Sequence, residues 1–129
     1  MYNLSEKEMI YMKEVYRGGV QGVRLSMLAT ALGISPPSAL EEVRHLQKKA
    51  LLKNEGGRIT ISKNGMKVLE ALRITHIAFE TAFVRLGMPV EDVCAAVHVF
   101  DFKVPQELGL KIYRAVGKPA KCPNGKSSC

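Results

Sequence analysis

Five side chains that can hold a divalent metal ion recur at helical spacing in the second half of this 129-residue chain. His76 and Glu80 lie four apart, and Cys94, His98 and Asp101 follow at i, i+4 and i+7, so each set shares one face of a helix. Imidazole, carboxylate and thiolate together suit zinc, ferrous iron, cobalt or manganese, and the thiolate tilts the choice away from manganese. Taken singly, a His or Cys on a half-buried helix is more often packed than a ligand. The coincidence of two such sets on two helices is what points to a metal centre.

The elements that must position these residues are legible in the apolar spacing. His76 and Glu80 fall on one long helix, from Lys63 to about Leu86, that Gly87-Met88-Pro89 stops. Cys94 and His98 fall on a second, from Val90 to about Phe100, and a third is expected from Pro105 to about Val116. The remainder is rich in Lys, Pro, Gly and Ser and reads as irregular. In the first half, Ser5 and Glu8 form a capping-box pattern for an opening helix that ends at Gly18-Gly19. Leu25, Leu28, Ala29 and Leu32 mark a short helix that Gly33 interrupts. Ser35-Pro36-Pro37 then starts another, with Leu40, Val43, Leu46 and Ala50 on one face. Leu51-Leu52-Lys53 and Arg58-Ile59-Thr60-Ile61-Ser62 flank Asn54-Glu55-Gly56-Gly57, a hairpin signature. The order is helix, turn, helix, wing. The expected fold is mainly α: a winged helix-turn-helix with a small β wing over residues 1–64, an all-helical dimerisation and metal-binding domain over 65–117, and a basic, Cys-containing tail over 118–129.

A formal net charge of +7 and a sequence pI near 9.5 favour a polyanionic partner. Double-stranded DNA fits, because the second helix of such a motif is free to lie in a major groove. Ser35, Pro37, Ser38 and Arg44 at that helix, with Arg58 and Lys63 at the wing, are the candidate contacts, Lys53 standing nearby. Glu41 and Glu42 would be repelled by phosphates unless one of them faces away. The helices of the second half leave an apolar face with little to cover it, and a second copy in a homodimer is the expected cover. No apolar stretch approaches a membrane span, and no basic region leads into an apolar run after Met1, so a cytoplasmic protein is expected. There is no Gly-rich phosphate loop, no HExxH and no nucleophile placed with a base, which argues against an enzyme. Cys94, Cys122 and Cys129 form neither an even set nor a CxxC pair. A rival reading keeps DNA binding but makes Cys122 and Cys129, on their basic tail, oxidisable groups that respond to thiol chemistry.

The chain resembles the diphtheria toxin repressor family of iron- and manganese-dependent transcriptional regulators. The likeness is carried by the opening helix with Tyr16, Pro37-Ser38 at the second helix of the motif, the wing ending Ile59-Thr60-Ile61-Ser62-Lys63-Asn64-Gly65, and the His-xxx-Glu of His76 and Glu80. It implies metal-ligand roles for His76 and Glu80, and for Cys94, His98 and Asp101 at the family's spacing on the next helix. Cys122-Pro123-Asn124-Gly125 is similar to a Cys-Pro-His-Gly of that family, with Asn124 in place of His, which makes Cys122 an extra candidate ligand. No third, SH3-like segment follows, so the likeness is to the shorter, two-domain branch. The resemblance implies a divalent corepressor ion (Fe2+, Mn2+ or Zn2+), an operator duplex and a homodimer. Three departures stand out. Ile10 and Lys13 occupy the positions where the family's opening helix supplies ligands, Met9 being one residue out of register, and Phe102 replaces a His. A relative that has given up metal sensing is therefore a further alternative.

Overall fold

The computed structural model describes residues 4–125; Cys129 lies outside them. Helix α1 (Glu6–Arg17) opens on the expected capping box, in which Ser5 Oγ accepts from the Glu8 amide at 3.1 Å and Glu8 Oε1 accepts from the Ser5 amide at 2.9 Å. Helix α2 (Leu25–Leu32) ends at Gly33, whose φ of +67° lets its amide turn back onto the last carbonyls. Helix α3 (Pro36–Lys48) begins with proline in its first turn and Ser35 Oγ accepting from the Ser38 amide at 3.3 Å.

Strands β2 (Leu52–Glu55) and β3 (Arg58–Ile61) form the wing, with Leu52 opposite Ile61 and Glu55 opposite Arg58. Their turn needs positive φ at both central residues, and Gly56 and Gly57 supply +63° and +87°. A third strand, β1 (Val23–Arg24), pairs with the far side of β3 to give the antiparallel order β1-β3-β2. Two residues are too short a run to show an alternating pattern, so β1 is not among the elements read from the sequence.

Helix α4 (Lys63–Arg85) matches the long helix expected there, and α5 (Val90–His98) stops two residues short of expectation. Phe100 takes φ −134°, outside the helical range, and a 3-10 turn over Asp101–Lys103 follows before α6 (Gln106–Ala115). The result is a mainly helical chain with one small sheet.

Two compact units divide the chain, one spanning Ser5–Leu69 and the other taking in Leu4 and the chain from Glu70 onward. In the first, Met12, Leu28, Val43, Leu46 and Ile59 are all but inaccessible and fill the space between α1, α2, α3 and the sheet. In the second, Ile77, Ala78, Val93 and Val97 do the same for α4 and α5. There α6 lies against α4 so closely that a Cβ on Gly109 would meet Thr75 Oγ1 at 2.1 Å. Among the described residues no helix is long and apolar enough to cross a membrane.

The first turn of α4 is seated against the base of the wing, where a Cβ on Gly65 would come 2.3 Å from the carbonyl oxygen of Leu51, the residue before β2, and 2.9 Å from the Ile61 side chain at the end of β3. Backbone cannot yield as a flexible side chain can. Gly65→Ala is therefore expected to cost about 1–3 kcal/mol, read as a lowered urea midpoint with the slope unchanged; a midpoint equal to wild type would contradict this packing.

Candidate metal centre

All the metal-ligand candidates of the second half converge within the second unit. The 3.6-residue period puts His76 and Glu80 on one inward face of α4, where His76 is 4% exposed and Glu80 fully buried. His76 Nε2 touches Glu80 Oε1. On its other side, His76 Nδ1 lies 2.8 Å from Asp101 Oδ2, and Asp101, brought in by the 3-10 turn after α5, is also inaccessible to water. The same Oδ2 stands 3.3 Å from His98 Nδ1, and the two imidazole rings lie 4.3 Å apart between centroids. The thiol of Cys122 reaches back from the tail and donates to Glu80 Oε1 at 3.3 Å.

Two overlapping donor sets result, both containing His76. One is His76, Glu80 and Cys122, all buried; the other is His76, Cys94 and His98, the last two half-buried. Within each set one donor atom per residue lies within 4.8 Å of the others, close enough to surround one ion. The polar balance of the site fits a cation. An ionised carboxylate can only accept, so Asp101 accepts from His76 Nδ1, and Nε2 of the same ring faces Glu80 Oε1, which is an acceptor as well. That contact is attractive only with a proton or a cation between the two atoms. His76 Nε2 and Asp101 Oδ1 are both buried without a hydrogen bond among the described residues, a state that costs about 1–3 kcal/mol per group when nothing compensates it.

The positions where the sequence departs from the family pattern hold no donors in this unit. Phe102 is a buried ring, 5% exposed. Ile10 is exposed, Lys13 is half-buried, and Met9 belongs to the core of the first unit. Cys122, given as an extra candidate on resemblance alone, is the donor whose placement no local pattern could reveal, because its partner Glu80 is 42 residues away.

The nucleic-acid candidates lie in the first unit, and all six are exposed: Ser35, Pro37, Ser38, Arg44, Arg58 and Lys63. The outward face of α3 is a shallow surface lined by Pro37, Glu41, Arg44, His45 and Lys48. His45 and Lys48 were not picked out from the sequence, although they share the helical spacing of Pro37 and Arg44. Ser35 and Ser38 bond each other through their hydroxyls at 2.9 Å, and Arg58 Nη1 donates to the Gln21 carbonyl at 2.8 Å. Of the two adjacent glutamates, Glu41 faces outward, while half-buried Glu42 lies 3.5 Å from Lys7 Nζ of α1.

A second charged cluster joins α1 to α3. Glu8, 5% exposed, meets Lys49 Nζ at 2.6 Å and His45 Nε2 at 3.3 Å through Oε2. Glu8, Glu42 and His45 are close enough to hold an ion, yet both carboxylates already have an ammonium partner, so the cluster is a charge network between helices.

No protein-family model matches the chain, and no curated protein matches it by sequence. Solved structures do. A hypothetical protein from Sulfolobus solfataricus is 32% identical, with a TM-score of 0.86 over 95% of this chain and 96% of that one. The repressor ScaR, determined with bound Zn2+, is 22% identical with a TM-score of 0.77, over 92% of this chain and 57% of that one, a likeness of fold. A manganese-dependent transcriptional repressor in complex with manganese is 25% identical, with a TM-score of 0.68 over 92% of this chain and 56% of that one. The chain thus spans a little over half the length of these two repressors.

Burial acts to raise the Glu8 carboxyl, but hydrogen bonds from Lys49 and Ser5 together with the Lys49 charge outweigh it and hold it below its ordinary 4.5. A carboxyl depressed on folding stabilises the fold fully above that ordinary value, and the contribution is lost as pH falls through the folded one. The stability gap between wild type and Glu8→Gln, from urea unfolding, is expected at neutral pH and should narrow below pH 4.5. A gap that widens toward acid would contradict this role.

Proposed function

The chain belongs to the diphtheria toxin repressor family, and we propose on that footing that it is a metal-dependent, DNA-binding transcriptional regulator. It acts in the cytoplasm as a repressor of metal uptake or homeostasis genes, with a divalent ion as corepressor. The observation that carries this reading is the pairing, in one short chain, of a winged helix-turn-helix with a buried nitrogen, oxygen and sulfur donor cluster on α4, α5 and the tail. ScaR has been determined with Zn2+ and with Cd2+, and the manganese-dependent repressor with manganese, which supports a divalent ion here.

His76 is the common ligand, completed by Glu80 and Cys122 or by Cys94 and His98. A bound divalent ion supplies positive charge to a cluster in which two buried carboxylates surround one imidazole. The residues do the rest. Glu80 is held on the same helical face as His76, one turn on, and Cys122 ties the tail to α4 through Glu80. Helix α4 starts at Lys63, directly after the wing, and carries His76 and Glu80 further along the same helix, which makes it the covalent route between the two units. On the DNA side, Ser35, Pro37, Ser38, Arg44 and the wing's Arg58 and Lys63 form the contact set, joined by His45 and Lys48. Phosphate contacts from the cationic members position the protein, and α3 reads base edges. Leu86, Val99 and Leu108 are apolar and 83%, 73% and 45% exposed, which supports a homodimer as the operating species. Regulation by thiol oxidation is the weaker reading, because Cys122 is only 3% exposed.

The test is fluorescence anisotropy with a duplex selected from a random pool in the presence of zinc. Addition of the activating ion to metal-free protein should raise affinity by about 5–150-fold, and the affinity should fall steeply with salt. His76→Ala should keep the weak, salt-dependent binding and lose the gain from metal. Affinity unchanged by chelation and by zinc, ferrous iron and manganese in turn would refute the proposal.

A further inference from the structure

The inner face of the wing is taken up by the core of the first unit, with Leu52 and Ile59 buried, whereas its outer face carries the cross-strand pairs Lys53–Thr60 and Glu55–Arg58. That outer face, the end of α1 and the 3-10 turn over Gly19–Gln21 enclose a groove of about 1120 Å³ that lies wholly within the first unit. Three large apolar side chains line it and stand open to water: Tyr16 is 54%, Val20 100% and Met66 44% exposed. Among its charged residues three are cations, Arg17, Lys53 and Arg58, and one is a carboxylate, Glu55. Glu55 stands opposite Arg58, whose Nη1 is steadied by the Gln21 carbonyl at 2.8 Å, and Arg17 pairs with Glu14 at 2.8 Å. Lys53 has no ion pair among the described residues. Apolar surface gathered in one place and rimmed by charge is the mark of a contact site.

We propose that this groove docks an acidic segment of a partner protein, whose bulky apolar side chains lie against Tyr16, Val20 and Met66 while its carboxylates meet Lys53 and the two arginines. Charge decides the occupant. The chain carries a formal net charge of +7, so a second copy would bring like charge to a cationic groove. The exposed apolar residues assigned to the homodimer, Leu86, Val99 and Leu108, belong to the other unit. A duplex fits less well than an acidic peptide, because Val20 and Met66 offer nothing to a phosphate and Glu55 repels one. The outward surface of α3 shares no lining residue with the groove. Small-molecule pockets run to about 300–1,000 Å³ and close around their ligand, whereas a strip of strand face beside a helix end suits an extended peptide with alternating side chains. None of the candidate metal ligands lines the groove, so the proposal stands apart from the metal centre.

The test pans a displayed library of random short peptides on the full chain and measures the selected peptides by fluorescence anisotropy. The enriched sequences should combine Asp or Glu with Phe, Leu or Trp. Tyr16→Ala and Lys53→Glu should each weaken their binding about tenfold, the loss expected of one important interface side chain, and the loss in Lys53→Glu should shrink as salt rises. A random-sequence duplex should bind Tyr16→Ala as tightly as wild type, since that substitution changes no charge. Where circular dichroism shows Tyr16→Ala unfolded, Val20→Ser, at a wholly exposed position, takes its place in both arms. A library that enriches no acidic peptide, or peptides that bind either variant as tightly as wild type, would overturn the proposal. A tenfold loss of duplex affinity in the uncharged variant would give this face to nucleic acid and overturn it as well.

Discussion

Glu80 and Asp101 are both shut away from water, and each reaches a different nitrogen of one imidazole, that of His76. Burying two carboxylates in a helical unit of this size is expensive, and removing one member of such a buried set costs about 3–5 kcal/mol because the others are left uncompensated. The helices must therefore deliver complementary groups to the same place. His98 comes from α5 and the thiol of Cys122 from the tail, and both end against one of these carboxylates. The second unit is built around a polar centre in which two buried carboxylates meet one imidazole, an arrangement that a cation complements.

That arrangement makes particular demands on the fold. His76 and Glu80 must share a face of α4, which their spacing of four ensures, and α5 must stop at His98 so that the following turn can swing Asp101 back toward α4. Gly109 allows α6 to approach Thr75, the neighbour of His76 in the chain. The first unit solves a different problem: its charges serve a surface. Glu8 fixes α1 to the end of α3 through Lys49 and His45, while Glu41, Arg44 and Lys48 face outward. Because α4 begins directly after the wing, the helix that carries His76 and Glu80 starts in the first unit.

The parts of the architecture legible in the sequence are those set by neighbouring residues. The Ser5–Glu8 capping box, the Ser35-Pro36-Pro37 helix start and the paired glycines of the wing are local devices, and each appears where its pattern lies. The candidate ligand faces of α4 and α5 follow from helical spacing for the same reason. What was not legible depends on distant partners. Strand β1 exists only because β3 pairs with it, and Glu42 turns inward toward a lysine on another helix. Asp101 has the spacing of a ligand, but the end of α5 and the turn after it decide that its carboxylate meets imidazole nitrogens. Cys122 meets Glu80 across 42 residues, and in the sequence it stood out only as an oxidisable thiol of the tail and through its resemblance to a family motif.

Calorimetric titration of reduced, metal-free protein with zinc, run beside His76→Ala, tests the central claim most directly, since His76 is the one donor common to both sets. The account predicts tight binding of one ion per chain that this substitution abolishes, with the variant still folded by circular dichroism. No heat of binding in the wild type, or binding that survives the loss of His76, would contradict it.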